Sequence, residues 1–251
     1  MGRFDDQALP PSPVCPEPIQ VSVLVPAHNE EGTIEDCVRR AENALSSNNL
    51  RYEIIVIDDG STDKTSECIQ ALRRNGGSLQ VLHNQEKTGK GASLRSAMLR
   101  ARGDIVVVLD ADLEYSPEEI PKVIGPIEDG VCDVVFGSRF LGQTEGMSLS
   151  HRLGNLVLTG TTNVLYKARL TDVMTGYKAF RRASLDKFGI GQAGFAFEVE
   201  VAVKALRSGV KVAEVPISYQ RRRIGKSKVR WTDGLRCLSN LIRLRKSQCP
   251  A

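Results

Sequence analysis

"VSVLVPAHNEEGTIEDCVRRAENALSS", residues 21–47, decides the fold. Its first five residues are apolar or small and rich in β-branched side chains, the composition of a strand buried on both faces. After "PAHNEEGT" the period changes. Ile34, Cys37, Val38, Ala41 and Leu45 fall at i, i+3, i+4, i+7 and i+11, one face of a helix. The unit is strand, turn, helix, and the chain repeats it. "YEIIVID" (52–58) predicts a second buried strand, followed by a helix through Cys68, Ile69 and Leu72. "LQVLH" (79–83) predicts a third strand. "GKGASLRSAMLRARG" (89–103) predicts a helix with Leu94, Ala97, Met98 and Ala101 inward and Gly103 as its stop. "DIVVVLD" (104–110) predicts a fourth strand. Strands alternating with amphipathic helices imply an α/β fold, a Rossmann-like, mostly parallel sheet flanked by helices.

The second half is less regular. It predicts a strand at 132–140, a helix at 151–166 with Leu153, Leu156, Val157 and Val164 on one face, and a strand within "TGYKAFRR". A helix closed by Gly209, a strand at 211–219 and a last helix at 230–246 follow. Without repeat or linker, residues 19–246 read as one domain between a Pro-rich leader (1–18) and a short tail (247–251). The leader has five prolines and no apolar run, which predicts disorder rather than a signal peptide.

Hydrophobic residues make up 41% of the 251 and charged ones 25%, as in soluble globular proteins. No apolar run approaches the roughly 18–20 residues of a membrane span. The six cysteines form no C-x-x-C pair and are expected to be buried and reduced. His28, His83 and His151 stand far apart and suggest no histidine metal site. The net charge of +4 is local in origin: residues 220–246 hold ten Lys/Arg and one acid, leaving 24 basic and 29 acidic residues elsewhere. Such a patch suits phosphate or an anionic membrane.

In parallel sheets, ligands lie at the carboxyl ends of strands. Those ends read "PAHNE", "DDGS" and "DADLE". Asp110 and Asp112, two apart, would share a face in extended backbone, and Glu114 would join them if the extension continued. Their hard oxygens suit Mg²⁺ or Mn²⁺ completed by substrate phosphates; the plainer reading is helix caps and surface acids. Dinucleotide-binding and P-loop patterns are absent. The acidic "PAHNEE" also differs from the glycine-rich basic loop of a nucleotidyltransferase. "KTGKGAS" resembles a phosphate loop in composition and otherwise reads as a flexible helix entry. Nucleic acid is not expected, because no aromatics interleave the basic stretch "RRRIGKSK".

"VSVLVPAHNEEGTI", "IIVIDDGSTD", "KTGKGAS", "VVVLDADLE" and "FGSRF" together resemble family 2 glycosyltransferases of the GT-A fold. "DVMTGYKAFRR", "FEVEV" and "EVPISYQRRRIGKSK" narrow the resemblance to the polyprenyl-phosphate sugar transferases, the dolichol-phosphate mannose synthase group. The resemblance covers about residues 19–246. It implies inverting transfer of a sugar from a nucleotide donor to a lipid phosphate. It also implies nucleotide contacts from Pro26, His28 and Glu30, base contacts from Ile57 and Asp59, and Asp110 and Ala111 beside the ribose and diphosphate. Asp112 and Glu114 would bind Mg²⁺ or Mn²⁺, and Arg139, Arg222 and Lys228 would hold donor and acceptor phosphates. The family varies at the positions of His28 and Glu114. Mannose from GDP-mannose is the first donor expected, UDP-glucose the nearest alternative. A nucleotide-sugar-binding regulator without turnover is the reading from another class. Transfer to a protein or polysaccharide hydroxyl would require a base, and no motif supplies one beyond the acids already assigned.

A lipid acceptor places the protein on the cytosolic membrane face, cytoplasmic and peripheral, on the membrane itself or on a small membrane subunit. Trp231, Leu235, Leu238 and Ile242 form a stripe with Arg236 and Arg243 opposite. That pattern fits a helix lying on an anionic leaflet or one packed into the core with a basic outer face.

Overall fold

The structure is a computed structural model describing residues 18–74, 79–185, 187–188, 196–222, 224 and 231–246. Lys228, the tail and all but the last residue of the leader lie outside them. The first half forms β1 (Val21–Ala27), α1 (Ile34–Ser47), β2 (Tyr52–Asp59), α2 (Thr65–Arg74), β3 (Leu79–Asn84), α3 (Lys90–Met98) and β4 (Ile105–Val108). A 3₁₀ turn, Pro117–Glu119, leads into α4 (Ile120–Glu128). Then come β5 (Val134–Ser138), β6 (Thr144–Glu145), α5 (Leu149–Tyr166), β7 (Lys178–Arg181), α6 (Arg182–Leu185) and α7 (Ala196–Arg207). The chain continues through β8 (Val212–Pro216), β9 (Tyr219–Gln220) and α8 (Trp231–Lys246).

Seven strands make the main sheet in the order β3-β2-β1-β4-β7-β5-β8, all parallel except β7, which runs against both neighbours. β6 and β9 form a separate parallel pair. The unbroken apolar runs are explained by cover on both faces. Val23, Val25, Ile54 and Val56 pack in one layer with Ile34, Val38 and Leu45 of α1 and Ile124 of α4. Leu24, Ile55 and Ile57 pack in the other with Leu94 and Ala97 of α3 and Phe197 and Val201 of α7. Each fully buried Val, Leu or Ile contributes about 1.5–3 kcal/mol, so the two layers hold the sheet flat against its helices.

Glu53, at the start of β2, ties the amino ends of the strands together. Its buried carboxylate accepts from the Ser22 hydroxyl (2.6 Å), Gln80 Nε2 (2.7 Å), and the Arg102 backbone N–H (2.7 Å) and guanidinium (2.8 and 3.0 Å). Those partners belong to β1, β3 and the turn entering β4.

The structure corrects several expectations. β4 ends at Val108 rather than 110. α4 was not read in the sequence because Pro121 and Pro126 interrupt it; Pro121 sits in its first turn, where the missing N–H costs nothing. The strand expected at 211–219 breaks at Ile217 and Ser218, and its end pairs with β6. In α5 the apolar stripe faces out: Leu153, Leu156, Val157 and Val164 are 64%, 48%, 53% and 81% exposed. α5 instead buries Leu158, Thr159 and Thr162. α8 packs through Cys237 and Leu241, leaving Leu235 and Ile242 about half exposed. Cys37, Cys132 and Cys237 are buried, and Cys68 partly so.

Candidate active site

β1 lies between β2 and β4, so the winding of the chain reverses beside it. Open α/β sheets leave a ligand crevice at such a switch point, at the carboxyl ends of the strands. Here β1 runs out into His28–Glu31, β2 into Asp59 and Gly60, and β4 into the loop Leu109–Glu114. Pro26 is half-buried within β1, and it is tolerated because the pairing of β1 with β4 stops at Leu24.

The first two ends are laced together. His28 Nδ1–H donates to the Asp59 carbonyl at 2.9 Å. Asn29 adopts left-handed backbone (φ 53°), which its amide side chain supports by accepting from the Thr62 N–H at 2.8 Å. The Asp59 carboxylate accepts from Asn84 Nδ2 (2.9 Å), the Thr88 N–H and hydroxyl (both 2.8 Å) and the Gly89 N–H (2.8 Å). Burial raises its pKa, but those hydrogen bonds outweigh burial and hold the group below the ordinary carboxylate value. Asp59 thus fastens the entry to α3. The Ile57 side chain is fully buried in the layer that holds Leu24 and Leu94, and its backbone pairs with Pro26 and Leu82 in the ladder.

The loop after β4 turns sharply. Leu113 has φ 57°, so the extension that would align the three acids is broken. The Asp112 carboxylate accepts the Glu114 N–H at 3.1 Å and closes the turn. Asp110 and Asp112 have different partners. Asp110 Oδ1 meets Lys90 Nζ at 2.6 Å, and Lys90 Nζ lies 2.8 Å from Glu198 Oε1 of α7. The other oxygen of Glu198 is paired with the fully buried Lys178 of β7. Burial favours a neutral Lys90 amine, but Asp110 and Glu198 hold it well above its usual range. Ala111 is buried in the layer with α1.

Asp112, Glu114 and Glu30 converge on Arg222. Its Nη2 pairs with Asp112 Oδ2, its Nε lies 3.4 Å from Glu114 Oε1, and its Nη1 lies 3.5 Å from Glu30 Oε1. Burial and the Asp112 charge push the Glu114 carboxyl above its ordinary value, with Arg222 pulling the other way. Arg139 stands apart from this cluster. Its guanidinium is closed on buried Asp172 through Nε (2.6 Å) and Nη2 (2.7 Å), and it lies over the Tyr219 ring at 5.7 Å. Lys228 lies outside the described residues.

Asp112 and Glu114 offer the hard oxygens that Mg²⁺ and Mn²⁺ take, and Arg222 already holds a cation against them. Among the described residues, no three His, Cys, Asp or Glu side chains are disposed to hold an ion as they stand. Sequence reasoning missed Lys90, Lys178 and Glu198. The signal was a lysine inside the apolar "YKAF" and two acids inside "FEVEVAV", charges placed where side chains are buried.

The family model described as Glycosyl transferase family 2 matches residues 22–189, more than half of the chain. Among curated relatives, a dolichol-phosphate mannosyltransferase from Pyrococcus furiosus is 32% identical over 91% of this chain and 64% of its own length. A polyprenol monophosphomannose synthase from Mycolicibacterium smegmatis is 29% identical over 82% of this chain and 80% of its own. The chain thus spans less than two thirds of the first of these relatives. In fold it is similar to glucosyl-3-phosphoglycerate synthase from Mycobacterium tuberculosis, solved with Mn²⁺, uridine diphosphate and phosphoglyceric acid. That likeness has a TM-score of 0.72 at 22% identity and covers 92% of this chain and 80% of the other.

Proposed function

The chain belongs to glycosyl transferase family 2, and from that premise we propose that it is a metal-dependent, inverting transferase that moves mannose from GDP-mannose to a polyprenyl or dolichyl phosphate. The observation that carries this reading is the convergence of Asp112, Glu114 and Arg222 at the switch point, one residue into a strongly basic stretch. The two curated relatives, both named for mannose and a polyprenol or dolichol lipid, support the choice of sugar and acceptor.

The chemistry asks little of a base. The acceptor is a phosphate already ionised at neutral pH, so no proton need be removed before attack. It asks instead for two anions to be held in line despite their repulsion. Arg222 and Lys228 do this, while Pro26, His28, Glu30 and the Asp59 turn bound the nucleotide. Asp112 and Glu114 would hold Mg²⁺ or Mn²⁺, which when bound would supply charge neutralisation at the departing diphosphate. Asp110, steadied by Lys90, faces the donor.

A lipid acceptor requires a membrane, and among the described residues no helix is long and apolar enough to cross one. α5 supplies a docking face. Its 18 residues contain no acid, its apolar stripe is exposed, and Arg152, Lys167 and Arg169 flank it in the open. Arg236, Arg243 and Arg245 of the adjoining α8 extend the same charge. That chemistry suits the anionic cytosolic leaflet.

The test is to incubate the protein with Mn²⁺ and, in turn, GDP-mannose, UDP-glucose and UDP-N-acetylglucosamine. Thermal stabilisation identifies the donor by mass action. Labelled transfer to polyprenyl phosphate is then measured, and Asp112→Ala is expected to lower it by at least about 100-fold. If none of the three donors supports transfer to polyprenyl phosphate, the reading fails. Selective binding without any turnover would make the protein a nucleotide-sugar-binding regulator.

A further inference from the structure

We propose that Arg222 is an internal counter-cation of the metal loop, exchanged for the divalent ion when that ion binds, and thereby released to meet the donor diphosphate. The inference rests on the reading of Asp112 and Glu114 as metal ligands and adds how their site is kept before loading.

Glu30 and Asp112 each have one oxygen in a local hydrogen bond and the other toward Arg222. Glu30 Oε2 accepts from the Thr33 hydroxyl at 3.3 Å, while Oε1 faces Arg222. Asp112 Oδ1 accepts the Glu114 N–H at 3.1 Å, while Oδ2 takes Arg222 Nη2. Glu114 Oε1 receives Arg222 Nε at 3.4 Å. The side chains of Arg222, Glu30, Asp112 and Glu114 are only 10%, 8%, 13% and 21% exposed. Water therefore does little to relieve the charge of the three carboxylates ranged around Arg222, and a cation must.

A divalent ion needs the same lone pairs at short range, about 2.0–2.1 Å for Mg²⁺. A guanidinium on those oxygens competes with it, because the two cations draw on the same carboxylate charge and repel each other at short range. One must leave. The backbone below Arg222 is not the part that moves. The Gln220 N–H is bonded to the Glu114 carbonyl at 3.0 Å and the Arg221 N–H to the Glu145 carbonyl at 3.0 Å. The exchange is a swing of one side chain whose root is pinned to the metal loop. A displaced guanidinium favours a phosphate, so metal and nucleoside diphosphate bind with positive coupling, each favouring the other by the same factor.

Mn²⁺ binding is measured by calorimetry and by electron paramagnetic resonance for the parent chain, Arg222→Gln and Arg222→Lys, each with and without GDP. Melting curves without metal establish that the variants fold. Without nucleotide, Arg222→Gln is expected to bind Mn²⁺ at least about tenfold more tightly than the parent, with Arg222→Lys between. GDP is expected to tighten Mn²⁺ binding in the parent and much less in Arg222→Gln. If Mn²⁺ binds Arg222→Gln no more tightly than the parent, the exchange is wrong while the metal reading stands. If neither protein binds Mn²⁺, even with GDP, both fall together.

Discussion

Leu113 shows how far a spacing rule reaches. The pattern D-x-D-x-E located the acids, and extended backbone predicted a shared face for them. The strand already ends at Val108, and a single left-handed residue, φ 57°, then sets the direction of the third acid. Residue type was legible here because carboxylates after an apolar strand are unusual. Partner identity was not, since Arg222 is separated from Asp112 by 110 residues and Lys90 from Asp110 by an intervening helix and strand. Gly176 belongs to this scale. A Cβ on it would overlap Asp110 Oδ2 and lie 3.0 Å from Lys90 Nζ, so any larger residue must push the Asp110 carboxylate aside. Gly176→Ala is expected to displace Asp110 and to cost about 1–3 kcal/mol by overpacking. Transfer should fall at least about tenfold while the far-ultraviolet dichroism is kept; parental activity would show that Asp110 need not stay where it is.

Elements were read well where both the period and the burial were strong. Valine and isoleucine runs gave β1 and β2, and the i, i+3, i+4 repeat gave α1. α5 was found as a helix, yet periodicity cannot say which way a stripe points. The helix buries threonines, which pack well and hydrogen-bond locally: Thr162 Oγ1 donates to the Leu158 carbonyl at 2.8 Å. Leu153, Leu156, Val157 and Val164 are left outside. If they meet a bilayer, Leu153→Glu with Val164→Glu should abolish most co-sedimentation with vesicles containing phosphatidylserine. Both sites are exposed, so the melting midpoint should hardly change. Undiminished vesicle binding by the double variant would move the docking face elsewhere.

At the scale of the molecule, alternating strands and helices made the parallel sheet legible, while antiparallel β7 and the β6–β9 pair were not. Both depend on chain returning from far along the sequence. Distant returns also create the molecule's response to acid. Glu118, beside α4, is bound bidentately by Arg40 of α1 at 2.7 and 2.8 Å. That hydrogen-bonded pair lowers the Glu118 carboxyl to about 2 from an ordinary 4.5. A depressed folded value means stability that is complete above 4.5 and is lost as the pH falls through about 2. The pair is half exposed, so its worth is at most about 1 kcal/mol. Urea midpoints of the parent and Arg40→Gln should differ at neutral pH and converge between pH 4.5 and about 2. A constant gap across that window would assign the effect to packing of the arginine stem.

The Glu53 knot has a mechanical consequence. Five hydrogen bonds on one buried carboxylate clamp three strands and a turn at the end of the sheet away from the crevice. The strands are therefore gripped at the base, like tines set in a handle. Loops at the rim can be rebuilt around different nucleotides, sugars or acceptors without loosening the grip.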